Sequence, residues 1–234
     1  MIVNVVECLS GAERAKGLVV VIDVFRSSTV ACFLADMGVG EYIATDSLDR
    51  ARALAAEKNG KIIGELETEP VDVFDHLNSP FLLKEADVTG QTFLHVTNAG
   101  TRGLMACSGA DEVLVGCFVN AGAVVDYIRA RSPELVTLVA MGTGGVMRAQ
   151  EDMMCAMYIK NELEEYPNSI ETLRKFLRDV DSAAKFFDES RMDCPEEDFD
   201  LCMDLDRFDF VLRGEPVEGG VRLSRVEADG REKA

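Results

Sequence analysis

A carboxylate and a run of hydroxyls stand close together near the start of the chain. Val19-Val20-Val21-Ile22-Asp23-Val24-Phe25-Arg26-Ser27-Ser28-Thr29 reads as a buried strand that ends in an acid and turns directly into a helix. A carboxylate at the carboxyl end of a strand can hold a divalent cation. A helix opened by Arg26, Ser27, Ser28 and Thr29 can hold a phosphate, because its first N–H groups lack partners within the helix and its dipole end is positive. The plainer alternative for the same residues is an ordinary βα turn with a capping Ser.

Other polar loops follow apolar runs and could converge on the same sheet edge, where ligands of open α/β sheets collect. Gly64-Glu65 follows Ile62-Ile63, and Glu65 could join Asp23 around Mg²⁺, which takes one or two carboxylates plus water and phosphate oxygens. Thr97, Asn98, Gly100 and Thr101, with Arg102 just beyond, form a second candidate anion cradle. Asn78-Ser79 before Pro80 puts several donors in a turn that either contacts substrate or merely turns. Glu151 and Asp152 open a helix of largely apolar residues. The helix dipole accounts for at least one of these acids, and the other can face the site as a metal ligand.

Three motifs fall short. Gly142-Thr143-Gly144-Gly145 lacks the third glycine of a dinucleotide fingerprint and the Lys-Ser/Thr of a phosphate loop. The run into Asp23 is similar to the start of haloacid-dehalogenase-type phosphatases, but Phe25 stands where those need a second Asp. Cys8, Gly11 and Arg14 have the spacing of a cysteine phosphatase, yet Glu7 and Glu13 flank a loop that would have to stabilise a thiolate.

The elements that must position these residues alternate. Strands are expected at 2–6, 18–24, 41–45, 61–65, 92–97, 112–117, 135–141 and 208–213. Helices are expected at 28–37, 47–58, 101–107, 121–131, 150–165, 169–190 and 196–204. The strands are continuous Val/Ile/Leu runs and so are covered on both faces. This predicts an α/β fold: three α/β/α layers around a mainly parallel or mixed sheet, with two similar subdomains as one form it could take. The expected division is an N-terminal α/β half over 1–132 with most of the site, a C-terminal half over 133–213, and a loose polar tail over 214–234.

Composition bounds the function. The 234 residues carry a net charge of −18 and 47% hydrophobic residues. Such acidity argues against nucleic-acid partners and anionic membranes, and no apolar run reaches the length of a membrane span. It also repels anionic substrates unless a cation and a few arginines reverse the field locally. The acidic runs Glu196-Glu197-Asp198 and Asp204-Leu205-Asp206 read as solvated faces. Seven cysteines without a CxxC pair read as buried hydrophobes in a reducing cytoplasm, and two histidines are too few for a His-based zinc site.

Taken in order, Asp23-Val24-Phe25-Arg26-Ser27-Ser28-Thr29, Gly64-Glu65, Phe74-Asp75 with Asn78-Ser79-Pro80, Thr97-Asn98 with Gly100-Thr101-Arg102, and Gly116-Cys117-Phe118-Val119-Asn120 resemble the 2-phosphosulfolactate phosphatase (ComB-like) family. The resemblance spans about residues 3–213 and includes Glu151-Asp152 and the Asp200/Cys202 region. It implies a Mg²⁺-dependent phosphatase of a two-part α/β architecture that releases phosphate from 2-phosphosulfolactate, a step toward coenzyme M. Leu66 stands where the family pattern has Arg, Leu77 where it has Gly, and Ala99 is an insertion.

The expectation is therefore a cytoplasmic phosphatase of a small phosphorylated acid. Asp23, Arg26 and Glu65 are its catalytic residues. Asp23, Glu65, Glu151 and Asp152 are its candidate Mg²⁺ ligands. Ser27, Ser28, Thr29, Asn78, Ser79, Thr97, Asn98, Gly100, Thr101 and Arg102 are its candidate substrate contacts. A relative that binds a small anionic metabolite without turning it over is the alternative, and a homodimer is an expectation from chain size alone.

Overall fold

In the computed structural model residues 1–229 are described; residues 230–234, the end of the expected polar tail, lie outside the described residues. The chain runs β1 (Ile2–Glu7), α1 (Cys8–Ala12), β2 (Leu18–Ile22), α2 (Ser27–Asp36), β3 (Glu41–Thr45), α3 (Leu48–Lys58), β4 (Lys61–Glu65), β5 (His76–Leu77) and β6 (Thr92–Thr97). It continues with α4 (Gly100–Ala106), β7 (Glu112–Gly116), α5 (Ala121–Arg131), β8 (Leu135–Ala140), α6 (Gln150–Leu163), α7 (Ile170–Leu177), α8 (Glu197–Cys202), β9 (Phe210–Val217) and β10 (Gly220–Glu227). The α/β expectation holds.

Among the described residues all these strands join one sheet, in the order β1-β8-β2-β7-β9-β10-β3-β6-β4-β5. β1, β8, β2 and β7 are mutually parallel, as are β3, β6, β4 and β5. The antiparallel hairpin β9–β10 joins the two groups. β8, from the expected C-terminal half, lies between β1 and β2 of the expected N-terminal half, so one sheet runs through both.

Residues 214–227 were expected in the tail and instead form the middle of the sheet. Val221, Leu223 and Val226 are buried while Arg222 is exposed, so the strand packs into the core despite its charged residues. The expected helix over 169–190 is also broken. It ends at Leu177, Val180 is extended, and a 3-10 turn occupies Asp181–Phe187. Tertiary packing decides this: the Phe186 ring meets Phe25 edge-on at 5.1 Å.

The hairpin makes the two parallel groups run in opposite senses. Strand twist of roughly 20–25° per strand, accumulated from β2 to β4, brings their carboxyl ends to a common side. Direct contacts between the segments following β2 and the ends of β4 and β6 record that approach.

Candidate active site

Asp23 is the first residue beyond β2, whose five residues are all buried. The turn into α2 closes around its backbone: the Asp23 N–H donates to Ser28 Oγ at 3.0 Å, and the Ser28 N–H donates to the Asp23 carbonyl at 2.8 Å. Its carboxylate accepts the Ser27 N–H at 3.3 Å and a further N–H from Gly100. Asp23 thus takes for itself the α2 amides that sequence reading reserved for a phosphate. Gly100 can approach only because it lacks a side chain. A Cβ there would sit 2.6 Å from Ser27 Oγ and 2.8 Å from Asp23 Oδ2.

Desolvation by burial pushes the Asp23 carboxyl up to about 6, against the pull of Lys185 and the Ser27 amide, with the Glu151 charge adding to the rise. Glu151 and Asp152 stand in the first turn of α6, both buried. Burial raises both carboxyls. Asp152 is a staple: one oxygen accepts the Val24 N–H and the other the Gly142 N–H, each at 2.7 Å, tying the β2–α2 turn to the loop after β8. Glu151 accepts only the Ser182 hydroxyl among the side-chain bonds seen.

Glu65 ends β4 and answers to a different set of charges. It accepts from Arg26 at 2.8 Å and from Asn78 at 3.3 Å, with Lys185 at 3.9 Å. Burial opposes its charge, but Lys185 and Arg26 hold it down at about 2. Arg26 is 1% exposed and also pairs with Asp198 at 2.7 Å. Asp198 in turn accepts the Ser79 hydroxyl and the Phe81 N–H. The reading of Glu196-Glu197-Asp198 as a solvated run is therefore corrected at Asp198, which is fully buried. The spacing that could have shown it is Asp198 to Cys202, one helical turn apart and both buried.

Asn78 is held from behind. Its amide must donate to the Glu65 carboxylate, so its oxygen accepts from His95 Nε2 at 3.0 Å. That leaves His95 Nδ1 to accept from the Tyr42 hydroxyl. Burial pushes His95 down to about 3, consistent with a neutral ring.

A cleft of about 260 Å³ opens between these groups. Of the expected site residues, Asp23, Arg26, Glu65, Asn78, Thr97, Asn98, Glu151 and Asp152 line it. Ser27, Ser28, Thr29, Ser79, Gly100, Thr101 and Arg102 stand outside its lining. Thr29 donates to the Val24 carbonyl, Thr101 caps Thr97, and Arg102 is exposed and donates to the Asn98 carbonyl. These hydroxyls lock the turns, because a buried hydroxyl without a partner would be costly.

Two cations at the cleft escaped the sequence reading: Lys185, whose Nζ donates to the Phe25 carbonyl at 3.2 Å, and Arg191. Lys185 falls within the helix expected over 169–190; the break after α7 turns it inward. Six carboxylates line the cleft (Asp23, Glu65, Glu67, Glu151, Asp152 and Asp181) against the three cations Arg26, Lys185 and Arg191. A phosphate dianion would be repelled from such a lining unless a divalent cation entered with it. Asp23 and Glu151 fit that need: hard oxygen donors, buried, with the Glu151 charge adding to the rise of the Asp23 carboxyl.

Among the described residues a group of three ligand-type side chains, Glu65, Asp193 and Cys194, lies at the Glu65 side of the cleft. Arg26 and Arg191 already neutralise it. The cysteine-phosphatase alternative is not supported: burial and then Glu7 push the Cys8 thiol up, away from thiolate.

Glu65 makes acid stability testable. Its folded value lies below its ordinary 4.5, so its contribution is complete above 4.5 and is lost as pH falls toward about 2. The full shift corresponds to about 3 kcal/mol, and solvent screening of a side chain 29% exposed reduces it to about 1–2 kcal/mol. Glu65→Gln is expected to lower stability by that amount at pH 7 and to converge with the parent near pH 2, measured by urea unfolding across the range.

The family model described as 2-phosphosulpholactate phosphatase matches residues 4–215. A probable 2-phosphosulfolactate phosphatase of Clostridium perfringens (strain SM101 / Type A) is 31% identical over 238 residues, covering 91% of this chain and 94% of that protein. A protein of the same name from Caldanaerobacter subterraneus is 28% identical over 215 residues, covering 82% of this chain and 86% of its own. Another from Thermotoga maritima is 27% identical over 178 residues, covering 71% and 76%.

Proposed function

The chain belongs to the 2-phosphosulpholactate phosphatase family, a family of phosphoric monoester hydrolases, and on that premise we propose that it releases phosphate from a small phosphorylated acid with the help of Mg²⁺. The substrate is 2-phosphosulfolactate or a related phospho-acid. One observation carries the reading: two desolvated carboxylates, Asp23 and Glu151, share a polar cleft with Lys185 at the carboxyl end of β2.

Asp23 and Glu151 would hold the cation. When bound, Mg²⁺ offsets charge on the transferring phosphoryl group and orients it. Lys185 faces the phosphoryl oxygens. Arg26 is a positioning residue in this reading, since its two terminal nitrogens are already committed to Glu65, Asp198 and the Asp193 carbonyl. Asn98 and the loop from Gly142 to Gly144 complete the wall, where backbone groups can meet the remainder of the substrate.

The direct test is phosphate release from 2-phosphosulfolactate and related phospho-acids in a Mg²⁺ buffer. Release from at least one is expected. A compound that raises the melting temperature yet is never turned over would overturn catalysis in favour of a binding protein.

Lys185→Met gives a second expectation. Its removal takes a donor from the developing charge and is expected to lower kcat by about a hundredfold. Among the described residues its only ion pair is long, at 3.9 Å to Glu65, so stability should move by less than about 1 kcal/mol. An unchanged kcat would remove Lys185 from the reaction.

A further inference from the structure

A second cavity of about 360 Å³ adjoins the cleft and shares Arg26, Glu65, Glu67, Asn78 and Arg191 with it. Beside the acids Glu69 and Asp193, its remaining wall carries four apolar side chains, Leu66, Val71, Phe74 and Leu77, supplied by the end of β4 and the segment that leads through β5. Leu66 and Leu77 are partly buried against a cluster that includes Phe74, so the wall is fixed by packing.

The charges there are unbalanced. Glu65, Glu67, Glu69 and Asp193 face two cations, Arg26 and Arg191. Both cations are committed: Arg26 to Glu65 and Asp198, Arg191 to both oxygens of Asp193. An anionic side group on a substrate would meet excess acid and no uncommitted cation in this cavity. An uncharged apolar group would meet Leu66, Val71, Phe74 and Leu77.

We propose that this cavity receives an apolar substituent of the phosphorylated acid, so that the preferred substrate is a 2-phospho acid whose side group is aliphatic or aromatic rather than anionic. The proposal rests on the phosphatase reading and narrows it to a substrate class. The two cavities join at Arg26 and Asn78, so the phosphate end lies by Asp23 and Lys185 while the side group points to Leu66 and Leu77.

The experiment uses three hydroxy acids, 2-hydroxy-4-methylpentanoate, 3-sulfolactate and 3-amino-2-hydroxypropanoate, and their 2-phospho esters. Calorimetric titration of the three hydroxy acids into the intact protein, with Mg²⁺ and inorganic phosphate present, reads the cavity. Phosphate release from the esters reads the reaction. The methylpentanoate is expected to bind roughly tenfold or more tightly than the other two. Leu66→Arg is expected to reverse the order between the methylpentanoate and sulfolactate. Tighter binding of sulfolactate or of the amino acid by the parent protein, or no measurable binding of the methylpentanoate, would overturn the proposal. Release of phosphate from none of the esters, with the binding order intact, would overturn the phosphatase reading and leave the cavity's preference standing.

Discussion

Replacing Asp23 with Asn is expected to abolish phosphate release and, in the metal-free protein, to make the fold more stable. The first effect follows from the loss of a charged oxygen that would hold the cation. Transition-state charge stabilisation by a bound metal is worth several kcal/mol, so kcat should fall by about 10³-fold or more. The second follows from linkage. The Asp23 carboxyl is raised from 3.8 to about 6, so between those values the folded protein binds more protons than the unfolded chain. Stability therefore falls as pH rises through that window, by up to about 3 kcal/mol once the pH exceeds 6. Asn keeps an oxygen to accept the Ser27 N–H and carries no charge. Urea unfolding at pH 7 without metal should show a gain of about 1–3 kcal/mol that shrinks to under about 1 kcal/mol near pH 4. A purely structural Asp23 predicts the opposite sign, a loss of stability at pH 7.

Arg26→Met is expected to damage the fold more than any other single change at the cleft. Arg26 and Asp198 are 1% and 0% exposed, and their 2.7 Å pair links the segment after β2 to α8. Removing one partner of a buried pair leaves an uncompensated charge and costs about 3–5 kcal/mol. Asp198 would keep its bonds from Ser79 and Phe81 but lose its cation. Asp198→Asn in the Arg26→Met background should return part of the loss, because it removes the stranded charge. The readout is the urea midpoint of both variants. An unchanged midpoint with a collapse of kcat/KM would instead make Arg26 a phosphate ligand.

The layout of the fold was legible where apolar runs were long. The run Val19-Val20-Val21-Ile22 could only be an interior strand, and Asp23 had to emerge at its carboxyl end. The cofactor-scale features were less legible for physical reasons that can be named. Ser27, Ser28 and Thr29 looked like phosphate ligands because a helix start and a phosphate need the same donors and acceptors; the structure gives those groups to the turn itself. Lys185 and Asp198 were missed because the sequence shows charge but not the break that ends the expected helix and turns Lys185 inward, or the cation that lets an acid be buried. The strand expected at 208–213 marks the start of Phe210–Val217, but residues 214–217 and the strand Gly220–Glu227 were missed because their Gly, Glu and Arg content reads as a polar tail.

The pairing of Asp23 with Glu65 illustrates the same limit. Both line one cleft, yet Glu65 is held by Arg26, Asn78 and Lys185 while Asp23 faces Glu151 and Lys185. Which acid serves a metal depends on which acid already has cations around it, and that is set by Arg26 lying between Glu65 and Asp198 and by the turn at Asp181–Phe187.

The most direct measurement returns Mg²⁺ stepwise to chelator-treated protein while phosphate release and melting temperature are followed together, in the parent and in Glu151→Gln. The account predicts saturable recovery of release with a matching rise in melting temperature in the parent, and a marked weakening of both in the variant. Full phosphate release in excess chelator, or identical Mg²⁺ responses in parent and variant, would contradict it.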